Sequence, residues 1–161
     1  MALNMVLTTI VGQCLGGKRV DRIKDYLKTA LLYGAALLVV FSAIIVCFSR
    51  QLSGLFVNSP QAAGIVSQYF IIVGIGYVLN TITNCFLGAV NGMGKPIKSM
   101  LCMVLYYMII RMPLAWLLSH IGFNLTGIWV AVLISHIVAA IAAAAVCNMQ
   151  ILSSEKIVTS K

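Results

Sequence analysis

Acidic residues are almost absent from this sequence of 161 residues. It holds three of them, Asp21, Asp25 and Glu155, against eleven lysines and arginines, and only 9% of its residues are charged. A soluble domain carries about 25% charged residues. All three acids lie outside the long apolar runs, so the sequence offers no carboxylate within a membrane that would bind Na⁺ or a proton.

Motifs of active sites, metal sites and disulfide frameworks are missing as well. No Ser/His/Asp, Cys/His or phosphate-loop arrangement appears, which leaves an enzymatic function without candidate residues. The five cysteines are scattered without a CxxC pair, mostly inside apolar runs, where cysteine behaves as a small hydrophobic residue. No signal-peptide pattern precedes the first apolar residues, and we expect the chain to start within a longer protein.

Long apolar runs dominate what is present. Hydrophobic residues make up 61% of the chain, and its mean hydropathy is +1.05. A helix needs roughly 20 residues to cross ~30 Å of hydrocarbon. The runs predict an all-α, polytopic membrane helix bundle with four complete transmembrane helices plus the end of a preceding one. The partial helix is Met1–Leu15, and the four spans are Thr29–Ser49, Phe70–Val90, Ser99–Ser119 and Leu125–Ile151.

The basic residues alternate between strongly basic and neutral loops. Five of the eleven lie in Lys18–Lys28, two more in the turn that contains Lys95 and Lys98, and the loop after the third span has no full charge. Lys and Arg between spans stay on the cytoplasmic side. We therefore predict a multi-pass protein of the plasma membrane with a cytoplasmic C-terminus and the lipid bilayer as its surroundings. The same placement, without any nucleic-acid motif, argues against binding to nucleic acid.

Two local structures are predicted at the loops and the membrane boundary. Gly16 and Gly17 are expected to end the first helix by taking a positive φ. Trp116 and Trp129 flank the neutral loop and are expected to be anchors at the membrane interface.

One face of the second complete span has the most polar side chains. Spacings of three and four place Tyr77, Asn80, Asn84, Gly88 and Asn91 on one side, with Thr81 adjoining. Two interpretations fit this pattern. The face is either the wall of a cavity that contacts substrate, or a surface that forms hydrogen bonds to another helix.

Arg111 and His136 are the titratable groups inside predicted spans that invite a function. Arg111 is the only full charge in any span, and an unpaired arginine there costs several kcal/mol. Pro113 removes a backbone donor nearby and exposes carbonyls that the guanidinium could bond. Arg111 is then either a residue that snorkels or braces the helix, or a gating or cavity charge. His136 is either a hydrogen-bonded packing residue or a group that takes up protons.

Four segments, in register along the chain, resemble the multidrug and toxic compound extrusion (MATE) family. Val11–Arg19 resembles its VGQ-x-LGAG segment, and Gly88 with Asn91–Pro96 resembles its G-x-x-x-G-x-G turn. Arg111–Trp116 and Gly127–Ala131 resemble two later signatures. The resemblance implies a transporter of twelve spans in two lobes. Residues 1–161 would be part of the C-terminal lobe, from the end of helix 8 through helix 12.

The family resemblance also implies a function. It implies a secondary-active antiporter that exports cationic or amphiphilic drugs in exchange for Na⁺ or H⁺, with the remaining helices as partners. The membrane carboxylates that the family uses for ion coupling have no match here, and no cofactor other than the coupling ion is expected. Two alternatives stay open, a related flippase of lipid-linked saccharides and a non-transporting scaffold subunit. The candidates for a substrate cavity are Tyr77, Asn80, Thr81, Asn84, Arg111 and His136.

Overall fold

Helices account for all the regular structure in the computed structural model, which describes residues 2–56, 60–120 and 124–159. In chain order the helices are α1 (Ala2–Gly16), α2 (Asp21–Cys47), α3 (Ser49–Phe56), α4 (Pro60–Gly92), α5 (Pro96–Val104), a π-helical stretch (Leu105–Arg111), α6 (Met112–Leu118) and α7 (Asn124–Thr159). Among the described residues, four segments are long and apolar enough to cross a membrane: Asp21–Cys47, Gly64–Gly92, Pro96–Leu118 and Thr126–Lys156. The predicted all-α polytopic bundle is confirmed.

Helix α4 lies at the centre of the bundle, in contact with α1, α2, α3 and α7. The tightest part of the core lies near the end of the bundle that carries most of the basic residues. Here side chains from four helices meet with less than 2% of their surface exposed, namely Val11, Ile23, Val90 and Cys147. Lys24 Nζ and Glu155 Oε1, 2.6 Å apart, join the start of α2 to α7 at this same end.

Small side chains allow α7 to approach its neighbours. Every fourth residue along one face of α7 is fully buried: Ala131, Ser135, Ala139, Ala143 and Cys147. Ala143 packs in a cluster with Leu87 of α4 and Cys102 of α5. In a membrane, helices associate through such close van der Waals contact, because lipid tails are as apolar as the side chains themselves.

The end of α1 differs from the prediction, because the positive φ falls on Lys18 (+56°) and not on Gly16 or Gly17. The amide of Lys18 donates to the Leu15 carbonyl at 3.1 Å, and that of Arg19 donates to the Cys14 carbonyl at 2.9 Å. These are the two hydrogen bonds of a Schellman motif, whose left-handed residue is the first of the two donors. The motif therefore begins one residue later than the glycines indicated.

Three helices are longer than their predicted spans. α7 ends at Thr159 and not at Ile151, and α4 begins well before Phe70. α2 begins at Asp21 and not near Thr29, so Arg22, Lys24 and Lys28 lie on its first turns. The sequence also predicts an interfacial segment after Arg50, a break at Asn58 and Ser59, and a helix that begins at Pro60. Helix α3 covers the residues after Arg50, and α4 starts at Pro60. Asn58 and Ser59, which were predicted to break the chain, lie outside the described residues, as do residues 121–123 of the neutral loop.

Candidate ligand-binding cavity

A cavity of about 300 Å³ lies between α4, the π-helical stretch and α7. Its lining is more polar than that of the grooves between α2 and α4. Ligand pockets in proteins have volumes of about 300 to 1,000 Å³ and a few convergent polar groups. Four of the six predicted site residues line this cavity: Tyr77, Asn80, Arg111 and His136.

The contribution of α4 comes from its middle turns. Tyr69, Val73, Gly76, Tyr77 and Asn80 line the cavity at spacings of three, four or one, which places them on one side of the helix. Gly76 lies against the imidazole of His136, since a Cβ there would be in van der Waals contact with His136 Cδ2 at 3.4 Å.

The π-helical stretch presents Tyr107 and Arg111 to the cavity. The guanidinium carbon of Arg111 lies over the Tyr107 ring, 5.4 Å from its centroid. A cation over an aromatic ring gains about 0.5 to 2 kcal/mol, more when water is excluded. Pro113 lies in the first turn of α6, directly after the π-helical residues. Turns of π-helix within α-helices, like the stretch Leu105–Arg111, often occur at functional sites.

His136 is nearly buried, with 8% of its surface exposed, and its ring lies 6.1 Å from that of Tyr106. Its Nδ1 atom is buried, and no described residue forms a hydrogen bond with it. A buried polar atom left without a partner costs about 1 to 3 kcal/mol. His136 therefore does not make the full set of hydrogen bonds that a purely structural histidine would make.

Aromatic residues that sequence reasoning did not assign to a site also form the walls. Trp129, predicted as an interface anchor, lines the cavity, and its ring meets that of Tyr69 edge-on at 5.7 Å. Trp116 is 64% exposed and stacks beside His120 at 4.6 Å. The helical spacing of Trp129, Val132, Leu133 and His136 was the available signal, because it places the tryptophan on the same face as the histidine.

Thr81 and Asn84 are not among the described residues that line the cavity. Asn84 Nδ2 donates to the carbonyl of Asn80 at 2.8 Å and to its Oδ1 at 3.3 Å. The backbone carbonyl of Asn84 accepts a hydrogen bond from Asn4 Nδ2 of α1 at 2.9 Å. Thr81 faces Gly34 of α2, where a Cβ would lie 3.8 Å from the Thr81 methyl carbon.

The last turns of α4 pack directly on α1. Thr8 Oγ1 donates to the Gly88 carbonyl at 3.1 Å. A Cβ at Gly88 would lie 2.7 Å from the Asn4 carbonyl oxygen, and one at Gly92 would lie 2.6 Å from the Thr8 carbonyl oxygen. The single polar face predicted for α4 therefore has two environments. Tyr77 and Asn80 line the cavity, whereas Asn84 and Gly88 contact α1.

The described lining of the cavity carries a positive formal charge, which comes from Arg111. None of the three acidic residues of the chain is among the described residues of the lining. Asp21 and Asp25 are exposed on the first two turns of α2, and Glu155 pairs with Lys24. Within the described residues, no group of three or more His, Cys, Asp or Glu side chains is placed to hold a metal ion.

Spanning helices around a cavity that is partly polar define a multi-pass membrane protein with an internal cavity. The MatE family model matches residues 1–117, and the chain therefore belongs to the MatE family, that of the multidrug and toxic compound extrusion transporters. This confirms the resemblance found in its motifs.

Individual relatives agree with this assignment. The chain is 28% identical over 149 residues to a probable multidrug resistance protein NorM of Mannheimia succiniciproducens, which covers 88% of this chain and 31% of that protein. It is 27% identical over 146 residues to a FAD transporter of Shewanella oneidensis, with 88% and 31% covered. It shares its fold with the bent form of the Vibrio cholerae MATE transporter VcmN, with a TM-score of 0.86, 20% identity and coverage of 94% and 34%. The chain spans about a third of the length of these relatives.

Proposed function

We propose that this chain forms part of a secondary-active efflux antiporter of the plasma membrane, which exports cationic or amphiphilic compounds in exchange for Na⁺ or H⁺. The observation that carries the proposal is the cavity between α4, the π-helical stretch and α7. It brings Tyr77, Asn80, Arg111 and His136 together inside apolar spans, where polar side chains mark substrate and ion pathways. Membership of a transporter family supports the same conclusion.

Alternating access would come from one lobe rocking against the other around such a cavity. Residues 1–161 would supply the end of helix 8 through helix 12, and the remaining helices would supply the other lobe. The sequence has no acidic residue within the four spans that are long enough to cross a membrane, except Asp21 and Asp25 at the start of α2 and Glu155 at the end of α7. A carboxylate that binds the coupling ion deep in the membrane would therefore belong to the remaining helices.

The two alternatives receive less support from the geometry. A scaffold subunit would bury Asn80 and Asn84 of α4 between helices, but Asn80 lines the cavity. A flippase of phosphate-bearing saccharides would place several basic residues within its spans, whereas Arg111 alone lies deep in one.

The proposal is tested in bacteria that lack their own drug pumps. The chain is expressed alone and together with the part of the Mannheimia succiniciproducens NorM relative that precedes the matched region, and accumulation of rhodamine 6G is followed by fluorescence. We expect no efflux from the chain alone, because four spans do not make two lobes. We expect efflux from the pair, and its loss when the Na⁺ or H⁺ gradient is collapsed. A pair that co-purifies as a complex and moves no dye would contradict the proposal.

A further inference from the structure

An apolar groove lies beside the cavity and shares one row of side chains with it. Tyr69, Val73 and Tyr77 of α4 line the cavity, and the same three residues line a groove of about 500 Å³ between α2, α3 and α4. Because they are four residues apart, they form a ridge roughly 12 Å long on one side of the helix. The cavity and the groove are therefore adjacent spaces with this ridge as their common wall.

The groove is more apolar than the cavity. Beyond the ridge its lining includes Leu38, Phe41 and Ile45 of α2, Leu52 of α3 and Phe70 of α4. The polar side chains of the cavity, Asn80 among them, lie on the other side of the ridge. A ligand that contacts both spaces thus meets polar groups at one end and aliphatic and aromatic side chains at the other.

Hydrogen bonds between helices keep the groove in shape. Ser42 Oγ of α2 donates to the Gly74 carbonyl of α4 at 2.9 Å, and both residues line the groove. Ser67 Oγ of α4 donates to Ser49 Oγ of α3 at 3.1 Å, which fixes the short helix to the same neighbour. A site that exists before its ligand arrives spares the free energy of ordering the site. The groove is in this sense preformed.

The two volumes together suit a drug-sized ligand better than the cavity does alone. The cavity, at about 300 Å³, lies at the lower limit of ligand pockets, which range from about 300 to 1,000 Å³. The groove adds about 500 Å³ to it. Val73, between the two tyrosines, is the smallest of the three side chains of the ridge, so a flexible ligand crosses the ridge there with the least obstruction.

We propose that the groove is an apolar subsite of the cavity, and that the combined site takes amphiphilic compounds with a long apolar tail. The polar part of the compound lies in the cavity beside Asn80. The tail crosses the ridge at Val73 and packs between Leu38, Phe41 and Phe70. The inference rests on the proposed function, because it specifies which amphiphilic compounds the transporter binds. It concerns binding by this chain and is tested without transport.

The test compares two ligands that share a head group and differ in the tail. The whole chain is reconstituted in nanodiscs of phosphatidylcholine, and binding of methyltriphenylphosphonium and of decyltriphenylphosphonium is measured by isothermal titration calorimetry, with empty nanodiscs as the blank. We expect saturable binding of both compounds above the blank. The decyl tail also partitions into lipid, so variants of the groove, and not the ratio of the two affinities, decide where the tail lies. No saturable binding of the decyl compound would overturn the proposal.

A tryptophan in the groove should displace the tail and leave the head group in place. Leu38→Trp should weaken binding of the decyl compound at least about fivefold and leave that of the methyl compound unchanged, because Leu38 lines the groove and not the cavity. Leu37→Trp is the matched control and should change neither affinity, since Leu37 is 58% exposed and is not among the residues that line the groove. Unchanged decyl binding in Leu38→Trp, or an equal loss in the two variants, would overturn the proposal.

A second pair of variants decides the question if Leu38→Trp does not fold. Ile45 lines the groove two turns further along α2, whereas its neighbour Ile44 is half exposed and outside the lining. Ile45→Trp should weaken binding of the decyl compound and spare the methyl compound, and Ile44→Trp should spare both. Retained decyl binding in a helical Ile45→Trp protein would count against the subsite in the same way.

A lipid chain and a helix from the rest of the transporter are the two other candidates for the groove. If lipid alone fills it, Leu38→Trp leaves the decyl affinity unchanged. If a helix fills it, Leu38→Trp abolishes co-purification with the NorM part and again leaves the decyl affinity unchanged. Either outcome overturns the proposal. Failure of the proposed function is distinguishable from both, since it consists of a co-purifying pair that exports no dye.

Discussion

At the scale of single residues, Lys18 carries a backbone conformation that suits glycine. Its φ of +56° costs an ordinary L-residue about 1 kcal/mol, which glycine does not lose. We expect Lys18→Gly to stabilise the bundle by up to about that amount, measured as a higher melting temperature by circular dichroism in detergent. Lys28→Gly is the control, because Lys28 lies inside α2, where glycine costs about 1 kcal/mol. Destabilisation by both substitutions would contradict the assigned cap.

Asn80 and Asn84 form a matched pair that separates ligand binding from packing. Both take part in the hydrogen bond from Asn84 Nδ2 to Asn80 Oδ1, but only Asn80 is among the residues that line the cavity. We expect Asn84→Ala to lower stability slightly, by about the 0.6 kcal/mol typical of such bonds in membranes, and to leave rhodamine 6G efflux by the co-expressed pair unchanged. Asn80→Ala should lower this efflux severalfold at a similar cost in stability. A larger loss of efflux in Asn84→Ala, measured by dye fluorescence, would reverse the two roles.

At the scale of elements, the close approach of α1 and α4 depends on Gly88. A methyl group at this position meets backbone atoms of Asn4, so the two helices must separate to admit it. We expect Gly88→Ala to cost about 1 to 3 kcal/mol, seen as a lower melting temperature in detergent. Gly64→Ala is the control in the same helix, where nothing lies within 4 Å of the new Cβ and alanine is the better helix former. Equal stability of the two variants would show that the α1–α4 contact is loose.

The same helix shows how much the sequence predicts and why it predicts no more. Apolar length predicts the spans, because the thickness of a bilayer fixes it, and glycine followed by proline correctly places the turn at Asn91–Pro96. Helical spacing also predicts that Tyr77, Asn80 and Asn84 share a face. It does not predict that α4, 33 residues long, meets α7 along one part and α1 along another. Which neighbour a turn meets is decided by contacts between residues far apart in the chain.

The register of the helix cap at Lys18 and the contacts of Trp129 could not be predicted from the sequence for a similar reason. Glycine signals a left-handed residue, but two adjacent glycines before Lys18 leave the register of the Schellman motif undetermined. Trp129 next to a neutral loop has the sequence context of an interface anchor. Only the packing of α7 on α4 brings its ring to Tyr69 and into the cavity.

At the scale of the whole molecule, the two ends of the bundle have different characters. The basic end is closed by a well-buried core that includes Val11, Ile23 and Val90 and by the Lys24–Glu155 ion pair. The cavity lies further toward the other end, between the middle turns of α4 and the start of α7. The orientation of these two ends in the membrane follows from the charges of the loops.

The last prediction states which end of the bundle faces the cytoplasm. Lys and Arg are retained on the cytoplasmic side during insertion, so we expect Lys18, Lys95 and Lys98 inside, together with the C-terminus, and the neutral segment before α7 outside. The test uses a background in which the five native cysteines are replaced, and a membrane-impermeant maleimide is added to intact cells. A single cysteine at Asn124 should be labelled, and one at Lys95 should react only after the membrane is permeabilised. Labelling of Lys95→Cys but not Asn124→Cys in intact cells would invert the topology, and the closed end of the bundle would then face outward.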